Sequence, residues 1–216
     1  MKVILFGSTG MVGQGVLREC LADPEVTEVV AVLRAKTGQQ HPKLREIEHA
    51  DFTDFSALRI DGDACFWCLG VSSNGMTEAA YTRITHDFTV AAAKVLVRPT
   101  MTFVFVSGAG AQGTSMWARV KRRTEDALFA LPFKAVYVFR PGMIQPLHGI
   151  RSRTRLYNVL YPLIYPLMLV TKLVAPGFVT NTERVGQAML RVARNGFPKK
   201  VLENADINAA AGGTTA

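Results

Sequence analysis

Three glycines near the start of the chain form the pattern best suited to bind phosphate groups. Gly7, Gly10 and Gly13 directly follow a short apolar run, Val3–Phe6, and open a predicted helix, Met11–Leu21. In such a pattern the first glycine permits a tight turn, the second lets backbone approach a pyrophosphate, and the third allows helix and strand to pack closely. Glycines also mark ordinary turns, but strand, turn and helix stand here in the required order. The sequence therefore predicts a dinucleotide site formed by Gly7, Ser8, Thr9, Gly10, Met11, Val12 and Gly13.

A basic residue stands where the type of dinucleotide is decided. Sites for NAD usually carry Asp or Glu at the end of the second strand, where it binds the ribose 2′-OH. This chain has Arg34 after the run Val29–Leu33, with Lys36 two residues further on. A guanidinium suits a 2′-phosphate, which a carboxylate would repel. The sequence therefore favours NADP(H) over NAD(H), and the alternative for Arg34 is a solvated basic turn.

Further apolar runs alternate with helical patterns. The runs are Val3–Phe6, Val29–Leu33, Glu46–His49, Ala64–Leu69, Thr102–Val106 and Ala135–Phe139. Helical patterns over Thr77–Val97 and Trp117–Leu131 separate the last of these. This alternation is typical of a parallel sheet covered on both faces. We expect one doubly wound α/β domain of the Rossmann type over residues 1–216, with a small substrate-side lobe at about 143–182.

These motifs together resemble the short-chain dehydrogenase/reductases, and specifically their atypical, Tat-interacting-protein-like branch. The resemblance covers most of the chain. It includes GSTGMVG, the Val-Leu-Arg end of the second strand, Asp51-Phe52, DACFWCLG at 63–70, FVSGAG at 105–110, FRPG at 139–142 and LENADI at 202–207. It implies an NAD(P)-binding, epimerase-like oxidoreductase fold.

The resemblance also implies where the parts of the cofactor lie. Asp51 and Phe52 would flank the adenine, while the Leu69-Gly70 step would pass under the adenosine ribose and the phosphates. Ser107 would lie beside the nicotinamide. The backbone of the Pro141-Gly142 step would approach the carboxamide. These positions agree with the rule that ligands lie beyond the carboxyl ends of parallel strands.

The catalytic pair of such reductases, Tyr-x-x-x-Lys, is incomplete. Its tyrosine exchanges a proton with the substrate oxygen, and its lysine holds the cofactor ribose. The corresponding helix reads Trp117-Ala-Arg-Val-Lys121, and an indole cannot act as a general acid. The candidate catalytic residues are therefore Lys121, which also binds cofactor, and Ser107, although Gly108 follows it where the family has a second serine. The alternative for Lys121 is a place in a solvated basic cluster.

Two functions fit this pattern. The first is an NADP(H)-dependent oxidoreductase acting on a hydrophobic small molecule, with Ser107, His148 or water as the proton donor. The second is a non-catalytic NADP(H)-binding sensor or scaffold with a regulatory protein partner, because the tyrosine is lost while the glycine turn is kept. A homodimer through the helices near 78–97 and 117–131 is an expectation of the resemblance.

The second half of the chain carries the positive charge. The net charge is +8, and residues 109–216 contain 15 Lys and Arg against 5 Asp and Glu. No zinc spacing or RNP-type aromatic motif accompanies them, so nucleic acid is not favoured as a partner. Residues 156–171 carry no charge but contain two prolines and are shorter than the ~20 residues of a membrane span. We expect a broken, buried helix or an apolar pocket lining, with peripheral membrane contact through 151–172 as the alternative.

Cysteine and histidine do not form a metal or redox pattern. Cys65 and Cys68 match C-x-x-C, but in a buried strand residues three apart point to opposite faces. The four histidines, at 41, 49, 86 and 148, show no ligand spacing, so no metal site is predicted.

Composition indicates a globular chain in a reducing compartment. The 216 residues are 49% hydrophobic and 19% charged, which excludes disordered and fibrous proteins. Three cysteines cannot form a disulfide framework. The N-terminal MKVILFGSTG has only a four-residue apolar run, which predicts no signal peptide. We therefore expect a cytoplasmic location.

Overall fold

A computed structural model describes residues 1–150 and 178–212. Its strands are β1 Lys2–Phe6, β2 Glu28–Leu33, β3 Leu44–Glu48, β4 Ala64–Trp67, β5 Thr102–Val106, β6 Ala135–Arg140, β7 Met143–Gln145, β8 Val179–Asn181 and β9 Val201–Glu203. Seven of them form one parallel sheet in the order β3-β2-β1-β4-β5-β6-β9, and β7 pairs with β8 separately. The strand order reverses between β1 and β4, where the carboxyl ends of the strands leave a crevice for a ligand.

Helices cover both faces of the sheet. They are α1 Met11–Ala22, α2 Glu78–Thr82, α3 Phe88–Leu96, α4 Met116–Phe129, α5 Thr182–Asn195 and α6 Asn204–Ala210, with a π-helical turn, Arg83–Asp87, between α2 and α3. Helices α1, α5 and α6 contribute to the core on one face, and α3 and α4 to the core on the other. The predicted doubly wound parallel sheet of the Rossmann type is confirmed.

Strand alternation explains why the apolar runs are continuous. Val3 and Leu5 of β1 belong to one core, while Ile4 and Phe6 belong to the other. All four side chains are fully buried. A strand covered on both faces needs apolar residues at every position, which is why the runs could be recognised in the sequence.

The observed bounds differ from the predicted ones by two residues at β3 and β4, and by one residue at β1, β2 and β6. β3 begins at Leu44, two residues before the predicted start, and ends at Glu48. β4 ends at Trp67 rather than at Leu69. The chain leaves the sheet there because Cys68 and Leu69 pass against the backbone of the glycine turn.

One long helix was not predicted from the sequence. α5 begins after Asn181, whose side chain accepts a hydrogen bond from the N–H of Arg184 at 2.7 Å, and stops at Gly196, where φ is +74°. Gly15 of α1 and Gly186 of α5 let the two helices pack closely, since a Cβ on either would overlap the other helix or the residue at its start.

The predicted substrate-side lobe is described only at its edges, where β7 and β8 lie. The expected apolar pocket lining and the membrane contact through 151–172 fall outside the described residues. Within the described ranges, none of the helices combines the length and apolar character needed to cross a bilayer.

Candidate active site

The turn between β1 and α1 has no room for side chains at two of its glycines. Gly7 has φ +77°, and a Cβ there would lie 2.6 Å from the carbonyl carbon of Cys68. A Cβ on Gly13 would lie 2.0 Å from the carbonyl oxygen of Gly7. At Gly10, by contrast, a Cβ would meet only that carbonyl oxygen, at 3.4 Å. The space beside Gly10 is therefore open to a ligand, while Gly7 and Gly13 hold strand and helix together.

The start of α1 suits a phosphate chemically. Gly10 is the N-cap and offers no side chain to satisfy the N–H groups of the first turn. Ser8, in the same turn, is only 4% exposed. Backbone N–H groups at a helix N-terminus and an adjacent hydroxyl are good donors to phosphate oxygens. The turn therefore fits the pyrophosphate of a dinucleotide.

A cavity of about 860 Å³ opens over this turn at the crevice between β1 and β4. Seven predicted cofactor residues line it: Gly7, Thr9, Gly10, Arg34, Phe52, Leu69 and Gly70. Met11, Val12 and Gly13 form the first turn of α1 and do not line it. Asp51 does not line it either, and its carboxylate accepts hydrogen bonds from the N–H and hydroxyl of Thr53 at 2.8 and 2.6 Å.

The loop after β2 is held by a residue that the sequence analysis missed. The Glu46 carboxylate on β3 accepts hydrogen bonds from the N–H groups of Thr37 and Gly38, at 2.9 and 3.1 Å, and from the Thr37 hydroxyl. Arg34 and Lys36 are exposed on this loop and line the cavity. Glu46 therefore fixes the loop that presents two cations to a ligand. A single acidic residue on a half-exposed strand gives no sequence signal for such a role.

The second group of predicted residues lies two strands away, at the carboxyl ends of β5 and β6. Lys121 of α4 is only 7% exposed, and its Nζ donates a hydrogen bond to the carbonyl oxygen of Val106 at 3.1 Å. Burial lowers the pKa of Lys121 to about 8, and the negative charge of Glu125 acts in the opposite direction. The solvated alternative for Lys121 is therefore wrong, and its ammonium group lies at the end of β5.

Ser107 is hydrogen-bonded to a largely buried ion pair, Glu125 and Arg140. Its hydroxyl donates to Oε1 of Glu125 at 2.5 Å. Glu125 is 2% exposed and also accepts hydrogen bonds from Nε and Nη2 of Arg140, at 3.2 and 2.5 Å. These contacts raise the pKa of Arg140, and Glu203 lies 3.8 Å from its Nη1. Two features of the sequence could have indicated these residues: Glu125 follows Lys121 by one helical turn, and Arg140 is part of the FRPG motif.

The residue in the tyrosine position lies against the loop after β5. A Cβ on Gly110 would lie 3.4 Å from the Trp117 ring, and one on Gly108 would lie 3.7 Å from it. The Pro141-Gly142 step is close by, because the N–H of Ala109 donates to the carbonyl oxygen of Pro141 at 3.0 Å. The Trp117 ring, which has no acidic proton to give, therefore lies at the position where the resemblance predicts a tyrosine as the proton donor.

The remaining candidate side chains have structural contacts. Cys65 and Cys68 pack in opposite cores, as predicted, and burial raises the pKa of both thiols. His86 lies 3.3 Å from the Thr124 hydroxyl, and His148 is 2.7 Å from a carboxylate oxygen of Glu183. In the part of the chain that the structure describes, no group of His, Cys, Asp or Glu residues is arranged to hold a metal ion.

Known proteins similar to this chain include two fungal mitochondrial proteins. No protein-family model matches it. The protein fmp52-2 of Aspergillus oryzae is 31% identical over 217 residues, which are 94% of this chain and 93% of that protein. The protein FMP52 of Saccharomyces cerevisiae is 29% identical over 164 residues, which are 72% of this chain and 69% of that protein. Because both are named as mitochondrial, the expectation of a cytoplasmic location is wrong.

Solved structures agree with the fold. An oxidoreductase of the short-chain dehydrogenase/reductase family from Burkholderia thailandensis superposes with a TM-score of 0.69 at 13% identity, over 96% of this chain and 92% of that one. The UDP-glucuronic acid 4-epimerase of Bacillus cereus, in complex with NAD, superposes with a TM-score of 0.66 at 14% identity. The match covers 94% of this chain and 76% of the epimerase chain. The chain therefore has the Rossmann fold of the dehydrogenase/reductase and epimerase structures.

Proposed function

This chain belongs to the family of Fmp52 proteins, and we propose that it is an NAD(P)-binding oxidoreductase that prefers NADP(H). The observation that carries the proposal is the cavity of about 860 Å³ in which the glycine turn meets Arg34. The NAD bound in the Bacillus cereus epimerase structure supports a nicotinamide cofactor. Within the dehydrogenase/reductases, the motifs of the chain favour the atypical, Tat-interacting-protein-like branch.

Each part of the cavity suits one part of the cofactor. The start of α1 would bind the pyrophosphate beside Gly10, where the backbone is open. Arg34 and Lys36 would bind the 2′-phosphate as two cations on one fixed loop. Phe52, buried at the edge of the cavity, would contact the adenine.

The carboxyl ends of β5 and β6 would receive the other half of the cofactor. A bound nicotinamide cofactor supplies the hydride chemistry, and the protein supplies position and electrostatics. The Lys121 ammonium, held at the end of β5, would donate to the ribose hydroxyls. We propose a hydrophobic small molecule as the substrate.

The first experiment is a titration of the protein with NADPH and NADH, followed by ligand fluorescence. We expect NADPH to bind more tightly than NADH. Arg34→Glu should weaken the binding of NADPH by at least about tenfold and change the affinity for NADH little. Arg59→Glu is the matched control, because Arg59 is exposed and outside the cavity. If neither dinucleotide binds, the glycine turn is architectural and the proposed function is wrong.

A second candidate function is a non-catalytic NADP(H) sensor or scaffold. The observation that favours it is Trp117, whose ring lies against the loop after β5 at the position where the short-chain dehydrogenase/reductases that the sequence resembles carry a tyrosine. Replacing Trp117 by Tyr separates the two candidates. If the missing tyrosine is the only defect, Trp117→Tyr gains reductase activity with generic carbonyl substrates and NADPH, whereas a site that has lost catalysis for other reasons gains none.

A further inference from the structure

Backbone pairing brings Ser107 next to the end of β6. The N–H of Ser107 donates to the carbonyl oxygen of Phe139 at 2.7 Å, and the N–H of Ala109 donates to that of Pro141 at 3.0 Å. Residues 107–109 therefore continue the β5–β6 pairing beyond the strands. Ser107 itself is only partly buried.

The direction of the Ser107 hydroxyl is decided by its partner. A serine hydroxyl has one proton and two lone pairs, and an ionised carboxylate only accepts hydrogen bonds. The Ser107 proton lies on the 2.5 Å contact with Glu125. Arg140 places two N–H donors on the same carboxylate, which balances the charge of Glu125, a residue that is only 2% exposed. The Ser107 oxygen therefore offers only lone pairs to a ligand.

We propose that Ser107 accepts a hydrogen bond from the carboxamide N–H of a bound nicotinamide, and that Glu125 and Arg140 are the positioning residues that fix this polarity. The inference rests on the proposed function. In a doubly wound sheet a dinucleotide crosses the switch point, so its second half reaches the ends of the strands beyond β4. The carboxamide is the only substituent of a nicotinamide ring that carries N–H donors. Ser107 consequently does not supply the proton that the missing tyrosine would have given.

The test compares NADP⁺ with its 3-acetylpyridine analogue, in which a methyl group replaces the amide NH₂ and the carbonyl is retained. Binding of each to the purified full chain is measured by isothermal titration calorimetry. We expect the analogue to bind the wild-type protein about fivefold more weakly than NADP⁺, because loss of one hydrogen bond reduces affinity by about this factor. In Ser107→Ala the two ligands should bind within twofold of each other.

Three further variants separate this role from a structural one. Ser107→Thr keeps the hydroxyl and should restore the preference for NADP⁺. Glu125→Gln should reduce the preference, because the Gln amide can donate to Ser107 and release the serine proton toward the ligand. Ser115→Ala, which removes an exposed hydroxyl that makes no capping hydrogen bond, should behave like the wild type.

The outcomes distinguish the inference from the function beneath it. If the wild-type protein binds neither ligand, the proposed function is wrong and the inference with it. If it binds both, and the ratio of their affinities is the same in the wild type and in Ser107→Ala, only the inference is overturned. Ser107→Ala leaves both Arg140 contacts of Glu125 in place, so the decisive variant keeps the buried ion pair.

Discussion

The two halves of the candidate site are built in different ways. At β1 the site consists of backbone, and glycines at 7 and 13 leave no space for a Cβ. At β5 and β6 it consists of buried charged side chains, with Glu125 joined to both Ser107 and Arg140. The first half derives its shape from residues that lack side chains, and the second from side chains that must all be present together.

This contrast decides how each half can fail. Backbone packing tolerates changes to neighbouring side chains but no added atom at the contact. A buried ion pair tolerates conservative changes poorly, because removal of one partner leaves the other without compensation. Four predictions test the contrast, in order of decreasing effect.

The largest effect is expected from Arg140→Met. It leaves the Glu125 carboxylate buried without its main partner, which should lower the free energy of unfolding by about 4 kcal/mol. Arg119→Met is the matched control, because the Arg119–Glu78 pair is about half exposed. Its removal should lower the free energy of unfolding by less than about 1 kcal/mol. Urea unfolding measures both. Equal losses would mean that the β5–β6 half does not depend on its buried charges.

The next effect separates stability from binding in the glycine turn. Gly13→Ala places a Cβ 2.0 Å from a carbonyl oxygen and should destabilise the fold by about 3 kcal/mol. Gly10→Ala meets only one atom, at 3.4 Å, so it should cost less than about 1 kcal/mol while abolishing NADPH binding. Unfolding curves and NADPH titration check the pair. A stable Gly10→Ala variant that binds NADPH normally would contradict phosphate binding at this position.

The third effect is a pH dependence of stability that originates at Lys121. Its pKa in the folded protein is about 8, below the usual 10.5, so between these values the unfolded chain binds the extra proton. The free energy of unfolding of the wild type, relative to Lys121→Met, should therefore rise by up to about 3 kcal/mol from pH 8 to 10.5. Urea titrations of both proteins at several pH values measure this difference. A flat difference would show that Lys121 is solvated in solution.

The smallest effect concerns the loop after β2. Glu46→Gln weakens the contacts that hold Thr37 and Gly38, so the preference for NADPH over NADH should fall by about threefold. Glu48→Gln is the control, because Glu48 is an exposed residue of the same strand and makes none of these contacts, and it should leave the preference unchanged. Fluorescence titration with both dinucleotides gives the ratio. An unchanged ratio of the two affinities would mean that the basic residues bind the 2′-phosphate even when Glu46 does not hold the loop.

How far the sequence predicts the site depends on the distance between interacting residues. Seven of the residues predicted for the cofactor site line one cavity, and their role in binding stays a prediction. The resemblance places Asp51 at the adenine, whereas in the structure its carboxylate accepts a hydrogen bond from the N–H of Thr53. The helix α5 was missed even though it has a capping residue, Asn181, and a stop, Gly196, at its ends. The missed Glu46 contacts a loop eight to nine residues away along the chain.

By itself the sequence determined the parallel sheet, its coverage on both faces and the glycine turn. Each of these depends on local properties, namely continuous apolar strands and glycines where a Cβ has no space. Only the tertiary structure decided that Lys121 is buried and that Ser107 gives its proton to Glu125. Glu125 lies 18 residues from Ser107 and 15 from Arg140, so the three meet only because β5, α4 and β6 are packed side by side.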